Sequence, residues 1–455
     1  MEAIGKLKNI KFIKTMANIF SVEDLRAKIL FTIAMVTVYR FGSYVVLPGI
    51  DTNALQGLHQ QTEGGLMSLL DMFSGGAFSK ASIFALGIMP YISASIVMQL
   101  LGIAVPYFQK MQREGESGRR KMNQYTRYLT VLILLFQAPS YLLNLKMQTQ
   151  GTAIYSSLPG GWAAFLVIST IILAAGSMFI VWLGERITDK GIGNGVSLII
   201  MIGIIARFPN AFGQELASRW DPQNAGLVVF LLEIVIYVAV IAAAICLVTG
   251  VRQVPVQYAK RIAGSNKVQV SGARQYIPLK PYAANVMPII FAQAIMFIPA
   301  TVSSYFNGGK IGPFMSQLVD TTGWVYNVIF ATLIVLFTFL YTAITINPVQ
   351  MAEDMKRNNG FIPGVKPGKD TADYIDSIMS KITFPGSLFL ALIAVMPAFA
   401  DMFGVQREFA QFFGGTSLLI LVGVVLDTLQ QIESHLLMRH YDGLLDNGRI
   451  RGEHA

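Results

Sequence analysis

Charge, cysteine and histidine are all scarce in this chain of 455 residues, and each shortage excludes a class of protein. Only 13% of the residues are charged and 53% are hydrophobic, with a mean hydropathy of +0.53, which is far too apolar for a soluble protein of this length. The single cysteine, Cys246, excludes a disulfide within the chain. The four histidines lack the spacing of metal ligands, so neither redox chemistry nor a metal site is indicated. The composition predicts a polytopic membrane protein.

Long apolar runs take up most of the chain. Runs of about 20 apolar residues, the length that crosses a bilayer, predict ten spanning helices. These predicted spans are 28–47, 81–104, 126–145, 162–183, 192–206, 226–248, 283–305, 324–346, 381–403 and 411–437. The segment 1–27 interleaves lysines with apolar residues, unlike a cleavable signal peptide. It indicates either an amphipathic helix on the membrane surface or a solvated helix packed on the protein.

Basic residues are unevenly distributed between the two sides that ten spans would define. With the amino terminus inside, most of the 35 lysine and arginine residues fall in cytoplasmic segments. Positive charge is retained on the cytoplasmic side of a membrane, so both termini are predicted to be cytoplasmic, including the tail 438–455.

Two pairs of segments repeat at an offset of five spans. Residues 87–92 (GIMPYI) match 285–290 (NVMPII), and 195–200 (GVSLII) match 415–420 (GTSLLI). Chance could explain one such pair but not two with the same offset. Because five is odd, the halves 28–207 and 226–437 would be inverted repeats, joined by a hinge loop at 208–225. The matched Pro90 and Pro288 predict places where helices break around a pathway.

A short apolar segment, 66–73, precedes a Ser74-Gly75-Gly76 turn. It is too short to cross a bilayer. It indicates either a re-entrant piece that folds back into a cavity or an interfacial helix on the outer surface.

Several long motifs resemble one known family, in order and from about Asp24 to Arg451. The segments 81–96, 113–121 (a loop), 191–195, 258–261, 347–348, 413–420 and 427–432 closely resemble the SecY family, the channel subunits of the bacterial protein translocase. The resemblance implies an all-α protein of ten transmembrane helices, in two inverted halves around an hourglass pore, in the bacterial inner membrane. It implies a passive, gated channel without enzymatic activity or cofactor. Such a channel translocates unfolded secretory proteins and releases transmembrane segments laterally into the bilayer.

The same resemblance implies the parts of the gate. A plug at 64–78 would include Leu66, Leu69, Leu70, Met72 and Phe73. A ring of aliphatic side chains would form the waist of the pore: Ile88, Ile92, Val196, Ile200, Ile290 and Ile420. A narrow apolar constriction dewets and blocks ions, yet it offers a passing peptide no hydrogen bonds.

A lateral gate and a docking face are also implied. Gln99, Asn194 and Gln293 could hydrogen-bond across the closed gate, or they could make ordinary packing bonds between helices. The long loops 251–281 and 347–380 would dock the ribosome and its RNA, and the motor ATPase SecA. Their basic docking residues would be Arg252, Lys260, Arg261, Arg274, Lys280, Lys356, Arg357 and Lys366. Lys366 stands where the family pattern leads us to expect arginine. SecE and SecG are the expected subunit partners, with signal peptides, nascent chains and lipids as ligands.

The main alternative from physics alone is a secondary transporter, which also uses inverted repeats and broken helices. A transporter normally needs charged ligands within its spans. The clear spanning acids are Glu233 and Asp427, and neither lies beside the matched prolines. Arg40 either pairs with Asp71 or Glu233 or extends toward the membrane surface. A nucleotide-driven enzyme is disfavoured because the segment 364–369 lacks the spacing of a phosphate loop.

Overall fold

The computed structural model describes residues 22–51, 71–149, 161–220, 226–258, 275–281, 286–305, 317–318 and 323–447. The chain divides into two compact units, which are Met1–Pro209 with Val424–Ala455, and Asn210–Gly423. Almost all regular structure in the described ranges is helical, so the predicted helical class is confirmed. The predictions for the segment 1–21 and for the end of the tail, 448–455, lie outside these ranges.

The first unit is built from long helices. They are α1 (Glu23–Gly42), α2 (Met89–Ala104), α3 (Pro106–Arg113), α4 (Glu116–Gln148), α5 (Gly161–Lys190), the first part of α6 (Gly195–Trp220) and the later part of α13 (Gly415–Asn447). Helix α4 packs against α2 and α5, and α1 packs against α5. Leu142 of α4 and Phe165 and Leu173 of α5 join Phe78 in one buried cluster. The segment 71–88 is therefore covered by the helices that follow it.

The second unit combines helices with a small sheet. It contains the end of α6, then α7 (Gly226–Thr249), β1 (Arg252–Tyr258), β2 (Gln275–Leu279), α8 (Met287–Tyr305), α9 (Trp324–Thr345), α10 (Pro348–Arg357), β3 (Gly360–Phe361), α11 (Lys369–Met402), α12 (Arg407–Ala410) and the start of α13. Helix α9 packs against α8 and α11, and α10 packs against α11.

The sheet corrects the prediction that 251–281 and 347–380 are loops. Its strands are antiparallel in the order β2-β1-β3, with Arg252 opposite Leu279 and Gln257 opposite Phe361. Val254 and Val256 are buried with Leu279, while Gln253 and Pro255 beside them are exposed. Such alternation of buried β-branched residues with exposed ones is typical of a half-buried strand. The second stretch is also structured, because α10 and the first turns of α11 pack into the same apolar cluster.

Seven helices in the described ranges are long and apolar enough to cross a membrane, or eight if the bent pair Met89–Gly102 and Pro106–Gln112 forms one span. Every predicted span overlaps a helix. Two of these helices, α1 and α8, do not meet the criterion of length and hydropathy. An integral membrane protein with several apolar spans follows from these lengths.

The matched prolines begin helices instead of breaking them, which corrects the prediction made from the repeat. The predicted span 81–104 is helical only from Met89, and Pro90 lies in the first turn of α2. Pro288 is likewise the second residue of α8. The first turn of a helix has no internal acceptor for its N–H groups, so a missing donor costs nothing there. Gly87 supplies the turn before α2 with a positive φ of 55°.

Two predicted loops are shorter than expected. Helix α6 continues through Pro209 to Trp220, so the hinge loop predicted at 208–225 is wrong for residues 208–220. Residues 221–225 lie outside the described ranges. In the predicted loop 113–121, only the turn at Glu114 and Gly115 separates α3 from α4. In both places a helix extends beyond the apolar run that predicted it. Helix α6 ends later than its run, and helix α4 begins earlier than its run.

Candidate functional site

The six residues of the predicted pore ring share one structural position. Ile92 and Ile290 are each the fourth residue of their helix, α2 and α8. Ile200 and Ile420 are each the sixth residue, of α6 and α13. All six lie within about two turns of a helix start, counting Ile88 just before α2 and Val196 as the second residue of α6. The internal sequence repeat is therefore also a repeat of helix register.

Burial divides the ring residues into two groups. Ile88, Ile200 and Ile420 are each only 3% exposed. Ile92, Val196 and Ile290 are half-buried. All six side chains are aliphatic and contain no hydrogen-bonding group, so the surface that they form within each unit is purely apolar.

The predicted plug is described only from Asp71 onward. Leu66, Leu69 and Leu70 lie outside the described residues, whereas Met72 and Phe73 are buried, with 1% and 6% exposure. The glycine turn follows at once, and its two glycines adopt positive φ angles of 66° and 83°. On α6, Gly203 faces this turn so closely that a Cβ there would lie 2.9 Å from the Phe73 carbonyl oxygen.

The segment that begins this turn is held by an ion pair between Asp71 and Arg207. We call this ion pair the Asp71 anchor. Arg207 of α6 donates from Nη1 to Asp71 Oδ2 at 2.6 Å. The other carboxylate oxygen, Oδ1, accepts a hydrogen bond from the backbone N–H of Ser79 at 2.8 Å. The Asp71 side chain is 2% exposed and that of Arg207 is 19% exposed. A single carboxylate thus ties both ends of the 71–79 segment to one helix.

Helix α1 holds the same turn through backbone carbonyls. Arg40 donates from Nη1 to the Gly75 oxygen at 3.1 Å, and the Tyr39 hydroxyl donates to the Ser74 oxygen at 3.2 Å. Of the two alternatives for Arg40, an ion pair with Asp71 or Glu233 is wrong, since Arg207 binds Asp71 and Arg219 binds Glu233. Sequence reasoning missed Arg207 because it follows the apolar run of its span and carries no motif.

A second buried ion cluster, which we call the Arg219 clasp, lies in the other unit. Arg219 donates from Nε to Glu215 Oε1 at 2.9 Å and from Nη2 to Glu233 Oε1 at 2.7 Å. It also donates to the Gly404 carbonyl oxygen at 2.7 Å, and the Gln406 N–H donates to Glu215 Oε2 at 2.8 Å. Glu233 Oε2 is buried and has no hydrogen-bond partner. The clasp joins α6, α7 and the turn between α11 and α12.

Two of the three predicted gate residues make local hydrogen bonds, and the third is buried. Gln99 donates from Nε2 to Ser95 Oγ at 3.3 Å within α2. Asn194 accepts the Ser197 N–H at 3.4 Å on Oδ1 and so caps the start of α6. Gln293 is buried in α8, with 6% exposure.

Five of the eight predicted docking residues fall within the described ranges. Arg252 is exposed at the start of β1, and Lys280 is half-buried just after β2. Lys356 and Arg357 are exposed at the end of α10. Lys366 is exposed, and its carbonyl accepts the Thr371 hydroxyl at 2.8 Å, which fixes the start of α11. The other three, Lys260, Arg261 and Arg274, lie outside the described residues.

Comparisons with known proteins agree with this architecture. The SecY family model matches residues 82–429. The protein translocase subunit SecY of Streptomyces coelicolor is 40% identical over 442 residues, covering 94% of this chain and 99% of that protein. The subunit of the same name from Bacillus subtilis is 40% identical over 440 residues, covering 95% and 100%.

Solved structures share the fold. One described as a protein conducting channel aligns with a TM-score of 0.57 at 17% identity, over 94% of this chain and 95% of that chain. Sec61 in a canine ribosome–channel complex aligns with a TM-score of 0.55 at 15% identity, over the same shares.

Proposed function

Because this chain belongs to the SecY family and is a non-enzymatic channel subunit of a protein translocase, we propose how its residues carry out that function. It is the central subunit of the channel that translocates unfolded secretory proteins and releases transmembrane segments laterally into the bilayer. The observation that carries the residue-level proposal is the shared register of Ile92 with Ile290 and of Ile200 with Ile420. Equivalent positions near the starts of four helices suit one constriction.

The constriction consists of the six ring residues. Aliphatic side chains exclude water and ions from a narrow passage, because hydrated ions find no polar group to replace their water. The same side chains yield around a polypeptide without forming hydrogen bonds that would retain it. Val196 preserves this chemistry beside five isoleucines.

The plug closes the channel, and the Asp71 anchor sets its position. The anchor lies at Asp71, the first described residue of the plug, where it joins the 71–79 segment to the helix that also carries Val196 and Ile200. Losing the charge of one partner in this pair costs roughly 2–3 kcal/mol, because the Arg207 side chain is still 19% exposed. An ion pair of this strength suits a gate that stays closed at rest and is opened by the binding of a signal sequence.

The lateral gate uses Gln99, Asn194 and Gln293, as the family resemblance implies. The first two make hydrogen bonds only a turn away along their own chain, at 3.3 and 3.4 Å. Long, local bonds of this kind are weak and exchangeable, so a signal helix can displace them.

The assembly and its surroundings are those of the family. We propose ten spans, both termini in the cytoplasm, the bacterial inner membrane as location, and SecE and SecG as partners. SecA and the ribosome dock on the exposed basic residues around β1, α10 and the start of α11. Ribosome binding is supported by the fold shared with Sec61 in a ribosome complex.

The transporter alternative is disfavoured by the Arg219 clasp. Glu233, one of two acids predicted to lie within spans, is bound to Arg219 at 2.7 Å and is 5% exposed. A carboxylate that is already paired and buried is not poised to bind a transported ion.

Crosslinking tests the channel directly. Cys246 is exposed and is first replaced by serine. A single cysteine is then placed by Ile92→Cys or Ile290→Cys, and a secretory precursor with one mid-chain cysteine is stalled in reconstituted membranes. We expect a disulfide that depends on the signal sequence and on the motor or ribosome.

Matched controls come from the same two helices. Val97→Cys in α2 and Ile295→Cys in α8 place the thiol at side chains that are 40% and 39% exposed, and these thiols should not react with the precursor. Equal crosslinking at ring and control positions, or none at the ring in membranes that translocate, would reject the proposed constriction.

A further inference from the structure

A cavity of about 450 Å³ lies between α4 and α5. The charged residues of its lining are Arg127 of α4 and Glu185, Arg186 and Asp189 of α5. The apolar residues of the lining are Met178, Val181 and Trp182. The lining of the cavity thus has a charged part and an apolar part.

The boundary between apolar and charged residues falls at this cavity in both helices. The apolar run of α5 ends at Trp182 and Leu183, and charged residues follow to its last residue. Arg127 stands in the other helix just before the apolar residues of α4 begin. Trp182 is 45% exposed, and tryptophan is enriched where membrane meets water. The cavity therefore spans the depth at which phospholipid headgroups join their acyl chains.

The charges in the cavity are balanced but only partly paired. Arg127 binds Glu185 through two bonds, at 3.1 Å from Nε and 2.6 Å from Nη2. The Arg186 guanidinium lies 5.5 Å from the centre of the Trp182 ring. Within the described part of the chain, no ion pair joins Arg186 or Asp189 to another side chain. One cation and one anion are left available side by side.

We propose that this cavity binds a zwitterionic phospholipid with a primary amine in its headgroup, as in phosphatidylethanolamine. Arg186 binds the phosphate, Asp189 binds the ammonium, and an acyl chain lies on Met178 and Val181. The paired Arg127 and Glu185 hold the two helices in place. Asp189, which is left without an ion pair among the described residues, disfavours a lipid with net negative charge. A choline headgroup lacks the N–H donors that Asp189 would accept.

Lipid binding by the intact, purified channel complex tests the proposal. The complex is delipidated, and phosphatidylethanolamine, phosphatidylglycerol or phosphatidylcholine with identical acyl chains is added. Native mass spectrometry then measures the retained lipid, and the midpoint of thermal unfolding gives a second readout. We expect phosphatidylethanolamine to bind about tenfold more tightly than either of the others, a difference of about 1.4 kcal/mol.

Variants separate the two contacts. Arg186→Ala should weaken all three lipids about tenfold, whereas Arg186→Lys should restore part of the binding because it keeps the charge. Asp189→Asn should weaken phosphatidylethanolamine about tenfold and leave phosphatidylcholine unchanged. Arg120→Ala and Glu116→Gln, in an exposed pair elsewhere on α4, are the matched controls. Equal retention of the three lipids, preference for phosphatidylglycerol, or cavity variants that behave like the controls would overturn the proposal.

Discussion

Helix α6 carries two half-buried arginines, and their ion pairs differ. Arg207, in the first unit, binds one carboxylate, Asp71, and remains 19% exposed. Arg219, about three helical turns later in the second unit, binds two carboxylates and a backbone carbonyl and is 11% exposed. The Asp71 anchor joins a helix to an irregular segment, whereas the Arg219 clasp joins helices and the turn beside them.

This difference separates a releasable contact from a structural one. Opening the anchor exposes one carboxylate and one guanidinium that already touches solvent. Opening the clasp would leave two buried carboxylates without their cation, which costs several kcal/mol. We therefore expect anchor variants to change gating and clasp variants to change the stability of the fold.

The largest expected effect is that of Arg219→Gln. It leaves Glu215 and Glu233 buried without a cation, and we expect a loss of about 3–5 kcal/mol in the free energy of unfolding. Denaturant or thermal unfolding of the purified complex measures it. Arg120→Gln, in an ion pair whose side chains are both 80% exposed, is the control and should be nearly silent. If the two variants were equally stable, the clasp would not be structural.

The next effect concerns gating. Asp71→Asn keeps an acceptor for the Ser79 N–H but loses the ion pair, at a cost of roughly 2–3 kcal/mol. We expect an ion leak through reconstituted channels without a substrate, and the same leak in Arg207→Gln. The double variant should leak little more than either single one, because both remove one interaction. Tight channels in both single variants would contradict the role of the anchor.

Two glycines of α6 extend the comparison. Gly203→Ala places a Cβ 2.9 Å from the Phe73 oxygen and 3.3 Å from the Gly75 nitrogen, so the plug turn must shift. We expect a loss of about 1–2 kcal/mol and a measurable leak. Gly213→Ala is the matched control, since nothing lies within 4 Å of its Cβ. It should stabilise the helix by up to about 1 kcal/mol without any leak. A leak in Gly213→Ala alone would reject close packing at the turn as the cause.

The smallest effect is expected for Glu233→Gln. One of the two Glu233 oxygens has no hydrogen-bond partner, so an amide can keep the bond to Arg219 and remove an excess negative charge. We expect a change in unfolding free energy of less than about 1 kcal/mol. Glu215→Gln should cost more, because both Glu215 oxygens are bound. A larger loss of unfolding free energy in Glu233→Gln than in Glu215→Gln would contradict the greater structural role of Glu215.

Sequence reasoning located helices better than it located their ends. Each predicted span overlaps a helix because an apolar run of bilayer length has one stable local conformation in lipid. The prolines were misread because a proline in the first turn and a proline in mid-helix look alike until the helix start is known. The strand at 252–258 was missed because it has only two buried valines, and Pro255 between them is rare inside strands.

The candidate site was predictable in part. The family resemblance and the repeat pointed to six aliphatic positions, and the structure adds their common register. Their role in a constriction stays a prediction, as do the plug and the docking face. Neither Arg207 nor Arg219 was singled out, because an arginine near the end of a span is ordinarily explained by topology alone.

The amino-acid sequence by itself determined the membrane class, the places of the apolar spans, the internal repeat and the family, because these depend on runs of neighbouring residues. Only the tertiary structure decided which carboxylates Arg207 and Arg219 bind. Asp71 and Arg207 are 136 positions apart, and their pairing depends on how the 71–79 segment packs against α6. A buried charge must find a partner, but its chemistry does not say which one, since any nearby opposite charge would satisfy it.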